Sequence, residues 1–536
     1  MPMLKKGMRR IQSRDAWRVN VTTCSAIVEA VRSSLGPRGM DKMLMDDRGV
    51  VTVTNDGAAI LKEMNVQHPT AKIVIETAKA TDTEVGDGAI STVLFAGELL
   101  MKADELREKD LHPSTIAEGF SMAVQKSLEV LNEISLPVDA TDKDVLERIA
   151  RTAMTSKTIL ENDDRLPGLV VDAVLKVAQK EGQECYRVDL DDIQIDKRIG
   201  GSRAETKLID GVTIHREIPR SDMPRRVENA SIALIVKPFK LETPREFTYK
   251  MLVEKPTQMK LALDEESRIL SEKVQKLVEC GVDVLLCERE IEEKALYYLA
   301  KQGILAIERV GVPDMKKTSK AVGGAVVATV EELTPKDLGY AQLVEERKIS
   351  GARRFFIEGC KNPKTVTILI RGGTRESMYI TEKIIHNALS VTKDLLSKPK
   401  VVVGGGAIEM KVSTQLRRYA LTLSGKEQLA VQAFAEALEA IPLTLAANSG
   451  LDPLDTILKL RHQHMTYDNW AGIDAVERKT VDMKKHHVLE PLAVKEQVMK
   501  SAVDVATMIL RVDDIVMAKR ELYPKPKPEE TKPPEN

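Results

Sequence analysis

At 536 residues the chain is too long for one compact core, and its 43% hydrophobic content supplies apolar surface for several lobes. The 80 Lys and Arg nearly cancel the 81 Asp and Glu, which argues against a global field drawn to nucleic acid or an anionic membrane. Aromatics make up only 3%, so the cores rest on Leu, Ile, Val, Ala and 21 Met; that favours a helix-rich, multidomain α/β protein over a β-sandwich.

From Asn20 the chain reads as helix, with Val21, Cys24, Val28, Val31 and Leu35 recurring at spacings of three and four. Gly36, Pro37 and Gly39 stop it. A hairpin follows, with Asp46-Asp47-Arg48-Gly49 as the turn and Val50 to Thr54 as the β-branched return strand, ending at Asn55-Asp56-Gly57. A long helical region comes next and is broken at Val85-Gly86-Asp87-Gly88. Another helix opens on Pro113 and keeps Ile116, Phe120, Ala123, Leu128 and Leu131 on one face.

In the middle, short apolar runs (Ile232 to Val236, Val282 to Cys287, Ile304 to Ile307, Ala325 to Val330) alternate with helical stretches, the pattern of an α/β layer. Lys240 to Gln275, charged and interrupted by Pro244 and Pro256, reads as an exposed insertion with a helix at its end. Thr365 to Ile370 predicts a strand, and helix returns through Asn387 to Leu396. Gly404-Gly405-Gly406 opens a largely helical last third. The tail from Pro524 alternates Pro, Lys and Glu and reads as disordered.

The five cysteines (Cys24, Cys185, Cys280, Cys287, Cys360) are scattered and form no C-x-x-C pair, so they read as reduced thiols of a reducing compartment. No stretch is expected to reach the roughly 20 apolar residues of a membrane span. The composition therefore predicts a soluble, cytoplasmic protein. His462, His464, His486 and His487 lack a third ligand type at sensible spacing and read as surface histidines.

No G-x-x-x-x-G-K-[ST] loop is present, so motif rules alone do not make this chain an NTPase. Each Gly-rich break taken alone is ordinary turn or hinge chemistry. Their surroundings decide the matter. The segment Ser34-Leu35-Gly36-Pro37-Arg38-Gly39-Met40-Asp41-Lys42-Met43-Leu44 resembles the first nucleotide loop of group II chaperonins, the thermosome and eukaryotic cytosolic chaperonin family. Thr54-Asn55-Asp56-Gly57, Gly86-Asp87-Gly88, Thr334-Pro335-Lys336-Asp337-Leu338-Gly339-Tyr340, Val403-Gly404-Gly405-Gly406-Ala407 and Leu451-Asp452-Pro453 are similar to further family motifs. So is Met508-Ile509-Leu510-Arg511-Val512-Asp513-Asp514. The resemblance runs in order over about residues 15 to 520.

That resemblance implies a chaperonin fold. A helical equatorial ATP-binding domain would take residues 1–144 and 401–523, and a small intermediate hinge domain 145–214 and 368–400. An α/β apical substrate-binding domain would take 215–367, with a lid protrusion near 240–275 and a disordered tail at 524–536. It implies an ATP-dependent chaperone that folds non-native clients inside a double ring of chaperonin subunits, with no nucleic acid or membrane partner. The cofactors implied are ATP and Mg²⁺. By the same resemblance Leu35, Gly36, Pro37, Gly57, Gly88, Ala89, Ile90, Ser91, Ser156, Lys157, Gly405, Gly472, Glu490 and Lys495 bind the nucleotide. Asp87 holds the metal, and Asp56 orients and deprotonates the attacking water. Gly405 and Gly472 flank base and ribose, and Glu490 bonds the ribose hydroxyls. In the apical segment, Lys294, Tyr297 and Tyr298 resemble a substrate-groove helix, although either tyrosine equally suits a core.

The departures from the family pattern fall together. Gly-Asp-Gly-Thr-Thr is here Gly86-Asp87-Gly88-Ala89-Ile90, which removes two phosphate-facing hydroxyls and leaves Ser91 and Thr92. In Ile385-His386-Asn387-Ala388-Leu389 the neutral Asn387 replaces an Asp that helps activate water, and an amide cannot take a proton. Weakened hydrolysis with binding preserved is the expectation. It opens an alternative function: a structural or regulatory ring subunit that binds ATP but scarcely hydrolyses it. Neutral drift, with Asp56 serving alone, is the bland account.

Overall fold

The computed structural model describes residues 9–45, 49, 51–155, 164–181, 185–240, 256–349, 351–360, 364–467 and 470–517. Three hydrophobic cores organise them, and the chain passes through two of these twice.

The largest core joins the two ends of the sequence. Helices Ser13–Arg32, Pro69–Val85, Ala89–Glu108 and Pro113–Ile134 pack with Ala407–Ala420, Glu427–Leu438 and Leu492–Leu510. At its centre Phe434 meets Phe95 at 5.2 Å and Phe120 at 6.0 Å, both edge-to-face. All three rings are fully buried, and each such burial is worth about 1.5–3 kcal/mol. Arg9–Gln12 pairs antiparallel with Asp514–Met517, tying the two ends of the described chain together. The predicted face of Pro113–Ile134 is borne out: Ile116, Phe120, Ala123 and Leu131 are buried and Leu128 packs on the same core.

Contrary to the sequence expectation, one stretch, Glu427–Ser449, is long and apolar enough to cross a membrane. Its most apolar window is 72% buried inside the protein, with Phe434 at the core's centre. Its hydropathy is that of a core helix.

A smaller core surrounds a three-stranded sheet. Val366–Gly372 runs parallel to Ile193–Ile199 and antiparallel to Lys207–Ile209, and helices Lys143–Thr155, Leu166–Val177 and Arg375–Ser397 pack around it. The third core is α/β. Its sheet runs Leu305–Ile307, Val284–Cys287, Arg226–Ile235, Gly339–Ile349, Ala352–Glu358, Gly211–Ile214, with Val326–Val327 pairing the third of these strands. The first three are mutually parallel, Val326–Val327 pairs parallel with the third, and the remaining pairings along the sheet are antiparallel. Val284–Cys287 and Leu305–Ile307 are buried at every position, which is why they read as continuous apolar runs.

One reading needs correction. Lys240 to Gln275 is not wholly exposed: helix Pro256–Glu279 buries Leu270, Val274 and Leu277 in the α/β core. Its charges lie on the solvent face, and composition cannot separate an amphipathic helix from an exposed one. Residues 241–255, which include Pro244, lie outside the described residues, as do Asp46, Asp47, Arg48, Val50 and the tail from Pro524. The hairpin strands themselves are Lys42–Met45 and Val51–Thr54, paired antiparallel.

Candidate functional site

Two adjoining cavities lie where the largest core meets the small one. One, of about 240 Å³, is lined by Leu35, Gly36, Pro37, Gly405, Glu490 and Lys495 among others. The other, of about 70 Å³, is lined by Asn55, Asp56, Gly57, Ala89, Ile90 and Asn387 among others. Leu35, Gly36, Asp87, Gly88 and Ser91 border both, so the two form one cleft.

The shared wall is made of helix ends. Gly86 (φ +69) ends helix Pro69–Val85, and Gly88 (φ +88) is the N-cap of Ala89–Glu108 with no side chain bonded to the first turn. At Gly88 only glycine takes this left-handed backbone without strain. A Cβ there would also lie 2.5 Å from Val498. The N–H groups at the start of a helix are open donors with a positive dipole end, suited to an anion. Asp87, between the two glycines, is exposed and accepts from the Gly88 N–H at 2.7 Å. Opposite, the Leu35 loop is held by Asn448, whose Nδ2 donates to the Arg32 and Leu35 carbonyls at 3.0 and 2.9 Å. No local pattern pointed to Asn448, since its partners lie more than 400 residues away in sequence.

In the large cavity, Gly405 stands on the wall, and its carbonyl accepts from Ile473 N at 2.8 Å. Gly472 is not among the lining residues. It packs behind, where a Cβ would come within 2.8 Å of the Gly405 oxygen. The apolar wall includes Ile149, Ile441, Leu445, Ile473 and Met483, none of which sequence reading had singled out. Lys495 is buried, and its Nζ bonds Glu409 Oε1 and Glu490 Oε2, each at 2.8 Å. Burial works against its charge, but the two carboxylates outweigh it and hold the ammonium above its ordinary range.

The small cavity contains the departures from the family pattern. Asp56 is buried and is the N-cap of Gly57–Glu63, with Oδ2 accepting from Ala59 N at 3.0 Å. Its Oδ1 faces Asn387 Nδ2 at a long 3.5 Å. Asn387 is carried by helix Arg375–Ser397, so one side of the cleft comes from the small core. Ile90 packs onto Gly57, with Cγ1 2.2 Å from where a glycine Cβ would stand. Of the two remaining hydroxyl residues, only Ser91 borders the cavities. Thr92 is buried and its hydroxyl donates to the Gly88 carbonyl at 3.0 Å.

Ser156 and Lys157 lie outside the described residues; Thr152 and Ala153 of the same segment line the large cavity. Lys294, Tyr297 and Tyr298 stand apart on helix Glu293–Lys301 of the α/β core. Lys294 pairs with Glu266 at 2.7 Å, Tyr297 is 50% exposed, and Tyr298 packs against the core. Of the two tyrosines, Tyr297 is the more exposed and Tyr298 is partly buried. His464 is not a surface histidine: it is buried, with Nε2 2.7 Å from the Ala471 carbonyl. His486 stands with Asp474 and Glu477, their ligand atoms within 4.8 Å, but Glu477 already pairs with Lys479 at 2.5 Å.

Comparison with known proteins adds an independent finding. A family model described as the TCP-1/cpn60 chaperonin family matches residues 27–520. The chain is 47% identical over 517 residues to thermosome subunit alpha of Archaeoglobus fulgidus, covering 96% of this chain and 94% of that protein. It is 46% identical over 517 residues to a thermosome subunit of Methanopyrus kandleri, with the same coverage. It is 45% identical over 526 residues to thermosome subunit alpha of Sulfolobus acidocaldarius, covering 96% and 94%.

Proposed function

The chain belongs to the TCP-1/cpn60 chaperonin family as a group II subunit, an ATP-dependent chaperone of a ring assembly, and from this premise we propose that the cleft is its Mg·ATP site. The observation that carries the proposal is the continuity of the two cavities. It sets glycine-bordered helix ends in the middle, a carboxylate–lysine group at one end and Asp56 at the other. A nucleotide laid along it has its phosphates at Gly36 and Gly88, its ribose at Glu490, and its terminal phosphate towards Asp56. The exposed Asp87 carboxylate is a hard oxygen ligand beside those phosphates and fits Mg²⁺. When bound, the ion neutralises phosphate charge. Asp56, fixed by its capping bond, accepts the proton of the attacking water.

On this reading the largest core is the equatorial domain, the small core the intermediate hinge and the α/β core the apical domain. The exposed Met43, Met45, Val51 and Val53 of the hairpin form a contact with a neighbouring ring subunit. Tyr297 belongs to the surface offered to non-native clients in the cytoplasm. The rival reading, a subunit that binds nucleotide but scarcely hydrolyses it, gains no support from relatives that are thermosome subunits along nearly their whole length.

The test is equilibrium binding of ATP, with and without Mg²⁺, to the purified protein, alongside sedimentation at micromolar concentration. A very large particle that binds ATP only with the metal is expected. A stable monomer under all conditions, or ATP affinity indifferent to Mg²⁺, overturns the assignment.

A further inference from the structure

We infer that Glu409, acting through Lys495, is a positioning residue that fixes the Glu490 carboxylate at the ribose end of the cleft and sets a preference for a sugar with both hydroxyls. The inference rests on the nucleotide-site reading above. It adds a residue and a specificity that reading does not contain.

Glu409 sits in the first turn of helix Ala407–Ala420, just after the Gly404-Gly405-Gly406 run, and is 1% exposed. Its Oε1 accepts from Lys495 Nζ, and Oε2 has no hydrogen-bond partner among the described residues. Among the described residues, Lys495 is the one side chain that both bonds Glu409 and lines the cavity. From the same ammonium, Glu490 Oε2 takes its ion pair at 2.8 Å. Glu490 itself lines the cavity.

Two carboxylates sharing one lysine leave a surplus negative charge in a buried setting. A lysine that served Glu490 alone would cancel that carboxylate's charge. Divided with Glu409, it orients Glu490 without quenching it as an acceptor. A vicinal diol offers two O–H donors to such a carboxylate.

The other side of the carboxylate is set by Gly404. A Cβ there would lie 2.5 Å from Glu490 Oε1 and 3.3 Å from its Cδ. Gly404 is not among the left-handed glycines, so its need for glycine is one of space. Backbone pairing completes the frame: Val402 is in register with Glu490, and Gly404 N donates to Val488 O at 3.0 Å. The first glycine of the run thus makes room for an acid 86 residues further along the chain, while the second lines the cavity directly.

The experiment compares affinities of the purified assembly for ATP and for 2′,3′-dideoxyATP, with Mg²⁺, in the unaltered protein and in Glu409→Gln, Gly404→Ala and Glu490→Gln. The unaltered protein is expected to prefer ATP by about tenfold or more, the worth of hydrogen bonds to a charged acceptor. Glu490→Gln removes that preference. Glu409→Gln and Gly404→Ala bring the ratio to within about threefold of unity, while affinity for inorganic tripolyphosphate with Mg²⁺ stays unchanged. A structural role for Glu409 would lower both affinities and leave the ratio intact. If Glu490→Gln collapses the ratio and neither other variant does, the inference fails and the site reading stands. If Glu490→Gln also leaves it intact, the ribose assignment falls. Should Glu409→Gln not assemble, Glu409→Asp decides by the same ratio, because it keeps the charge and draws it back from Lys495.

Discussion

The two ends of the cleft are built differently. At the Glu490 end the polar groups form one set, Glu409, Lys495 and Glu490, fastened to one another beside an apolar wall. At the other end Asp56 meets Asn387 across a long 3.5 Å contact between two cores. Every departure from the family pattern, at Ala89, Ile90 and Asn387, borders the small cavity, and none borders the large one. On the proposed reading, nucleotide binding draws on the polar set at the Glu490 end and on backbone donors. On the same reading, the hydrolytic step draws on a side chain delivered by a neighbouring core, and the three departures fall at that end.

The change with the largest expected effect is at that delivered residue. Asn387→Asp restores a second carboxylate, and general-base assistance is typically worth about 10²–10⁴-fold. Single-turnover hydrolysis should therefore rise strongly, with ATP affinity little altered. Two carboxylates at this separation cannot both ionise freely, so one keeps its proton to higher pH. The variant's rate should climb with pH along a limb displaced to higher pH than that of the unaltered protein. Equal rates in the two proteins would show that Asp56 suffices.

Asp87→Ala tests the wall common to both ends. Removing one partner of a charge-assisted contact costs about 2–5 kcal/mol, so Mg²⁺-dependent ATP affinity should fall on the order of 100-fold or more. Circular dichroism should be unchanged, because the exposed side chain packs against no core. Unchanged affinity with Mg²⁺ would remove Asp87 from the site.

A third variant probes how the reaction end is mounted. Asp394 lies two turns beyond Asn387 on the same helix and is buried, with Oδ2 lacking a hydrogen-bond partner among the described residues. Burial pushes its carboxyl up to about 7, with Lys393 opposing and Glu84 of the facing helix adding to the rise. Between the usual carboxylate range near pH 4 and about pH 7, the folded protein holds a proton that the unfolded chain has released. This group therefore costs stability as pH rises through that window, by about 1.4 kcal/mol per pH unit. Asp394→Asn should be the more stable protein above pH 7, with the difference vanishing below about pH 4. Denaturant unfolding at several pH values checks it, and a constant difference would contradict it.

The smallest effect belongs to Ile90→Thr. A neutral hydroxyl towards the phosphates is worth roughly 0.5–1.5 kcal/mol, and trimming the contact with Gly57 costs a similar amount of stability. A few-fold gain in hydrolysis should accompany a slightly lower unfolding midpoint. A gain as large as that of Asn387→Asp would mean that phosphate positioning, and not the missing base, limits the reaction.

What the sequence determined by itself was whatever repeats at short range or is carried by contiguous motifs. The helix of Pro113–Ile134, the buried strands Val284–Cys287 and Leu305–Ile307, and the glycine breaks at Gly36, Gly88 and Gly405 follow from local periodicity and backbone freedom. The ordered series of motifs gave the family. Tertiary structure alone decided which of these positions face the cleft. It turned Thr92 inward and Ser91 outward, set Gly472 behind Gly405, and buried His464 and Leu270 despite polar neighbours. It also brought in Asn448 and Glu409, whose partners stand hundreds of residues away or on another helix. The physical reason is that a side chain's worth at a site depends on distance and desolvation. Those are set by long-range packing of cores that the chain enters, leaves and enters again.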